Sequence, residues 1–102
     1  MIMIVVNARL ESSAADIEAM KEAIATMETA SRAESGCLDY TFSVEVSDPN
    51  VIRITEKWET MDALAAHFKE PHMADFQAAM AAHPPKGMDA GFYEATDVKP
   101  PM

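Results

Sequence analysis

A chain of 102 residues, 49% hydrophobic and 25% charged, suits one domain spanning residues 1–102, and no shift of composition marks a second. Its net charge of −9 leaves no basic stripe for neutralising phosphates, which argues against nucleic acid or an anionic membrane surface as a partner. Cys37 is the only cysteine, so no intrachain disulfide can form, and its simplest role is that of a small buried hydrophobe.

Ile2 to Leu10 reads as a strand, with Ile2, Ile4, Val6, Ala8 and Leu10 on one face and Met3, Val5, Asn7 and Arg9 on the other. Both faces look largely apolar, as in a sheet covered by helices on one side and by another subunit on the other. The apolar run Ile2 to Val6 is too short for a signal peptide and has no basic segment before it. Nor does any stretch have the length of a membrane span, so a cytoplasmic protein is expected.

Ser12 or Ser13 can cap a helix, Ser13 pairing with Asp16 in a capping-box-like arrangement. Ile17, Met20, Ile24 and Met27 form its apolar stripe, Glu18, Lys21, Glu22 and Glu28 its solvent side, and Gly36 the left-handed residue after it. Leu38, Tyr40, Phe42, Val44 and Val46 then alternate with polar residues, predicting a strand with one aromatic face. Ser47 to Asn50 has turn composition, so this strand should pair with Val51 to Trp58 as a hairpin.

In that second strand Ile52, Ile54, Glu56 and Trp58 share a face, which places a carboxylate and the only indole among apolar residues. Thr60 is a plausible N-cap for a short helix carrying Met61, Leu64, Ala65 and Phe68. Pro71 opens another, with Met73, Phe76 and Met80 on its stripe, until Pro84-Pro85 stops the pattern. Phe92 to Val98 is a last, weaker strand. The order β-α-β-β-α-β is that of a ferredoxin-like α+β fold with an antiparallel sheet. Strands this apolar on both faces, in so short a chain, favour a homodimer packed sheet to sheet.

Glu56, Trp58, Ala66-His67 and Pro71-His72 follow one another as Glu-x-Trp, an Ala-His pair and Pro-His, after Gly36-Cys37 and an aromatic strand. At these residues the chain resembles the antibiotic biosynthesis monooxygenase family of the dimeric α/β barrels, especially its small quinol monooxygenases. The resemblance runs from Ile2 to about Val98. It implies a dimeric barrel that oxidises an aromatic with dioxygen and no cofactor, or else a non-catalytic small-molecule-binding or stress-response dimer of the same fold. In a haem-degrading branch of the superfamily a Trp and an axial His fall where this chain has His67 and Gln77, so the haem ligand is missing.

No metal is expected either, because His67 and His72 are five apart across a proline and His83 lies further on, unlike a helical zinc pair. Without a flavin or a metal, the substrate must supply its own electrons. A quinol or related phenol does so once deprotonated, leaving the protein to bind the ring in a dry pocket, take a proton and stabilise the oxyanion. His67 is the candidate base, since an imidazole titrates near neutrality. Trp58 could stack on the ring, and Glu56 could orient His67 or form a structural ion pair. Asn7, Arg9, Tyr40, Phe42, His72 and Phe76 are candidates for contacting the substrate.

Overall fold

Alternating apolar residues and side-chain caps build the elements of the computed structural model, which describes residues 1–102. They are β1 (Ile2–Glu11), α1 (Ala14–Ala19), α2 (Lys21–Arg32), β2 (Cys37–Glu45), β3 (Asp48–Trp58), α3 (Met61–His67), α4 (Pro71–Ala82) and β4 (Gly87–Thr96). Ser13 Oγ accepts from the Asp16 N–H and Thr60 Oγ1 from the Ala63 N–H, both at 3.1 Å, so the expected caps start α1 and α3. Pro71 opens α4. No helix is long and apolar enough to cross a membrane.

The four strands form one antiparallel sheet in the order β2-β3-β1-β4, the ferredoxin-like βαββαβ arrangement. One face packs against the helices. Ile4, Val6, Tyr40 and Trp58 from the sheet meet Met27 of α2, Leu64 of α3 and Phe76 of α4 in a continuous core. Helix α2 also protects the edge strand β2, where Arg32 Nε donates to the Tyr40 carbonyl and Glu28 Oε2 accepts from the Phe42 N–H, both at 2.9 Å. Glu28, expected on the solvent side, is therefore a sheet-edge partner.

The remaining differences from the sequence reading have local causes. The first helical stretch is two helices, because Met20, at φ −91° and ψ 1°, ends one and starts the next with its side chain buried. The hairpin turn is Val46-Ser47 rather than Ser47 to Asn50. Asn50 is held in β3, its carbonyl accepting from Ser12 N–H at 2.8 Å and its Oδ1 from Ala14 N–H at 2.9 Å. Gly36, at φ 81°, lies beyond the end of α2 in the turn to β2, where an added Cβ would sit 2.7 Å from Ala63 Cβ. β4 starts at Gly87, well before Phe92, since pairing along the whole of β1 overrides the weak strand propensity of Gly87 to Gly91.

The open sheet face is more polar than expected. It carries Asn7, Arg9, Thr41, Ser43, Arg53, Thr55, Lys57 and Asp89 beside Met3, Val5 and Tyr93, with Arg53 paired to Glu45 at 2.8 Å and Arg9 to Glu11 at 2.7 Å.

Candidate active site

The strand register lays two cross-sheet rows side by side on the helix-covered face. Tyr40, Glu56, Val6 and Phe92 are successive partners in one row, and Phe42, Ile54, Ala8 and Ala90 in the next. All eight line a cavity of about 250 Å³, floored by the sheet and roofed by Met73, Phe76, Gln77 and Met80 of α4, with Phe68 beside them. Those four α4 positions share one helix face, and the adjacent methyl groups of Ala8 and Ala90 leave the space between floor and roof. Helices cover β1, β2 and β3 but leave β4 bare, so Met88, Phe92 and Phe68 are each more than half exposed at the cavity mouth.

Inside this apolar lining Glu56 is the only carboxylate. The Trp58 indole N–H donates to Glu56 Oε1 at 2.9 Å, which fixes the carboxylate against a fully buried ring. Burial raises the Glu56 pKa above its ordinary value, opposed by the Trp58 hydrogen bond and by nearby His67. Tyr40, its cross-strand neighbour, is pushed far up by burial and then by the Glu56 charge, so the phenol stays neutral.

His67 does not line the cavity. It is fully buried one layer behind, its ring 4.8 Å from Trp58 and 5.3 Å from Tyr40. Its orienting carboxylate is not Glu56 but Glu34, from the turn between α2 and β2, whose Oε2 is 2.7 Å from His67 Nδ1 and 2.7 Å from His72 Nε2. One carboxylate oxygen accepting from both rings assigns the protons to His67 Nδ1 and His72 Nε2. His67 Nε2, on the other side of the ring, is buried and without a partner.

Glu34 is the residue that sequence reasoning missed. It sits two places before Gly36, and only the hairpin's return past α3 brings it to the histidines. The α3–α4 junction likewise defeats the spacing argument against a metal, since the donor atoms of Glu34, His67 and His72 lie within 4.8 Å of one another, a set able to hold a divalent ion. The two 2.7 Å contacts to a single oxygen are hydrogen-bond lengths.

Of the other expected residues, Tyr40, Phe42 and Phe76 line the cavity, while His72 serves Glu34 from behind it. Asn7 and Arg9 do not reach it. Strand alternation turns them to the open sheet face, where they border a separate polar depression with Arg53, Asp89 and Tyr93.

Fold and cavity together define a ferredoxin-like α+β protein with an apolar, single-carboxylate pocket between its sheet and its helices. The family model described as "Antibiotic biosynthesis monooxygenase" matches residues 3–79, and the chain belongs to that family. Among solved structures it is similar to a candidate antibiotic biosynthesis monooxygenase from Deinococcus radiodurans, at TM-score 0.86 and 25% identity over 97% of this chain and 98% of that one. A conserved protein of unknown function from Bacteroides thetaiotaomicron, described as a possible oxidoreductase, gives TM-score 0.81 and 26% identity over 91% and 97%. A second candidate antibiotic biosynthesis monooxygenase, from Caulobacter crescentus, shares the fold at TM-score 0.83 and 24% identity over 93% and 91%. No functionally curated protein matches the chain.

Proposed function

We propose that this protein is a cofactor-independent monooxygenase that oxidises a quinol or related phenol with dioxygen. The observation carrying this reading is Glu56, the one carboxylate in an otherwise apolar cavity, with its pKa raised by burial. A raised carboxylate pKa brings a base closer to its working pH, and a dry cavity strengthens its interaction with a ring hydroxyl. Glu56 takes the proton, the phenolate passes one electron to dioxygen, and the radical pair recombines. The ring peroxide so formed takes back the proton from Glu56, loses its C–H proton and breaks its O–O bond, so that one oxygen atom stays on the ring as a quinone carbonyl and the other leaves as water.

In this reading the base that meets the substrate is Glu56 rather than His67. Trp58 holds Glu56 in place, and His67, braced by Glu34, holds Trp58. Tyr40, Phe42 and Phe76 grip the ring. The chain works as a single domain and as a homodimer, whose contact would cover the open sheet face and take in Asn7 and Arg9.

An oxygen electrode with a panel of quinols and other phenols tests the proposal. Wild type should consume oxygen, and Glu56→Gln should lose roughly 10²–10⁴-fold in rate while keeping the Trp58 hydrogen bond. Wild-type uptake in Glu56→Gln would remove Glu56 from the role of base. No uptake by the wild type with any phenol would leave a binding protein of the same fold.

A further inference from the structure

The cavity offers a single carboxylate and no cation. Glu56, as a base, brings one negative charge, and no Lys, Arg or His lines the walls to balance a second. Gln77, an exposed residue of the α4 roof, is the other polar residue of the lining apart from Tyr40. At about 250 Å³ the space falls just below the roughly 300–1,000 Å³ of pockets that take drug-sized ligands.

We propose that the cavity selects ligands that arrive neutral: flat molecules of one or two rings, with one hydroxyl meeting Glu56 inside and a second polar substituent meeting Gln77 at the mouth. This rests on the reading of the cavity as an aromatic site, and it adds what the site rejects. A ring bearing a carboxylate, sulfate or phosphate brings a second negative charge into a desolvated space that already holds one, and nothing there offsets it. A neutral phenol avoids the conflict, because its proton moves from the ring hydroxyl to the Glu56 carboxylate and the cavity carries a single negative charge before and after. Glu56 is half-buried on the sheet floor and Gln77 is exposed on the helical roof, so one substituent is met inside the cavity and the other at its mouth. Gln77 is on this view a specificity-determining residue.

Isothermal titration calorimetry on the full chain at pH 7, with dioxygen excluded, separates binding from turnover. Wild type should bind naphthalene-2,6-diol about 5-fold more tightly than 2-naphthol, the increment of one hydrogen bond, and 2-naphthoate at least about 10-fold more weakly than 2-naphthol. Glu56→Gln should bring 2-naphthoate to within about 3-fold of 2-naphthol, and Gln77→Leu should erase the preference for the diol over 2-naphthol. Equal binding of naphthoate and naphthol by the wild type overturns the charge rule, as does a ratio unmoved in Glu56→Gln. A diol preference that survives Gln77→Leu overturns the role of Gln77. If no neutral probe binds, the proposal fails together with the assignment of the cavity, whereas binding without oxygen uptake counts against the monooxygenase reaction alone.

Discussion

Glu34 and His67 lie 33 residues apart in the chain, yet their side chains meet at 2.7 Å in the interior, Nδ1 to Oε2. Because Glu34 also accepts from His72, one carboxylate ties the α2–β2 turn to the α3–α4 junction. Removing it leaves a buried imidazole N–H without an acceptor.

Glu34→Ala should therefore destabilise the protein by about 1–3 kcal/mol, the cost of an orphaned buried donor. At roughly 4–8 °C per kcal/mol for a chain of this size, circular dichroism melting would resolve the drop. An unchanged melting temperature would mean that the contact contributes nothing to stability.

Glu56 should make stability depend on pH in the opposite sense to a salt-bridged carboxylate. Its folded pKa lies above the ordinary 4.5, so its stabilising contribution is fully present below pH 4.5 and is lost as pH rises through the folded value. Glu56→Gln, which stays neutral and can still accept from Trp58, should melt close to wild type near pH 4 and above it at pH 8. A gap between the two that does not widen with pH would show that burial is not straining the carboxylate. Oxygen uptake, in contrast, should rise with pH over the same range in the wild type.

Ala8 and Ala90 are neighbouring partners across β1 and β4, and their small side chains leave the cavity open. Ala8→Leu should fill the space and abolish binding of 2-naphthol with little thermal penalty, since the added carbons enter a void rather than a packed core. Overpacking elsewhere in a core costs about 1–3 kcal/mol, so a large fall in melting temperature would place Ala8 against packed side chains instead.

Cys37 should be inert. Burial, reinforced by the charges of Glu34 and Glu56, lifts its thiol to about 11, so the thiolate fraction near neutral pH is minute. Incubation with iodoacetamide at pH 7.5 followed by intact-mass measurement should find the chain unmodified over a time in which a small free thiol reacts completely. Rapid single alkylation would contradict the raised thiol pKa.

Trp58 and Leu10 both have large side chains that are almost wholly buried on the helix-covered face. Trp58→Ala should cost roughly 3–5 kcal/mol through the cavity it leaves, and it should also free Glu56. A melt combined with an oxygen electrode would report both losses. A variant that melts like wild type would place the indole outside the core.

Much of this molecule is decided locally. The alternation of Tyr40 and Phe42 with Asp39, Thr41 and Ser43, the Thr60 and Ser13 caps and the proline at the head of α4 each act over a few residues, so the sequence alone determines the order of elements and the family motif around Glu56 and Trp58. Which groups meet is a different matter. Strand register is set by pairing between distant segments, and it alone puts Glu56 beside Tyr40 and Val6 and sets Ala8 against Ala90 to open the cavity. Alternation separates Asn7 and Arg9 from Val6 and Ala8, but only the packing of helices on one side of the sheet decides which set faces a pocket. The same packing buries His67 out of reach of that pocket and delivers Glu34 to it from the far end of α2, because a contact across 33 residues leaves no periodic trace in the chain.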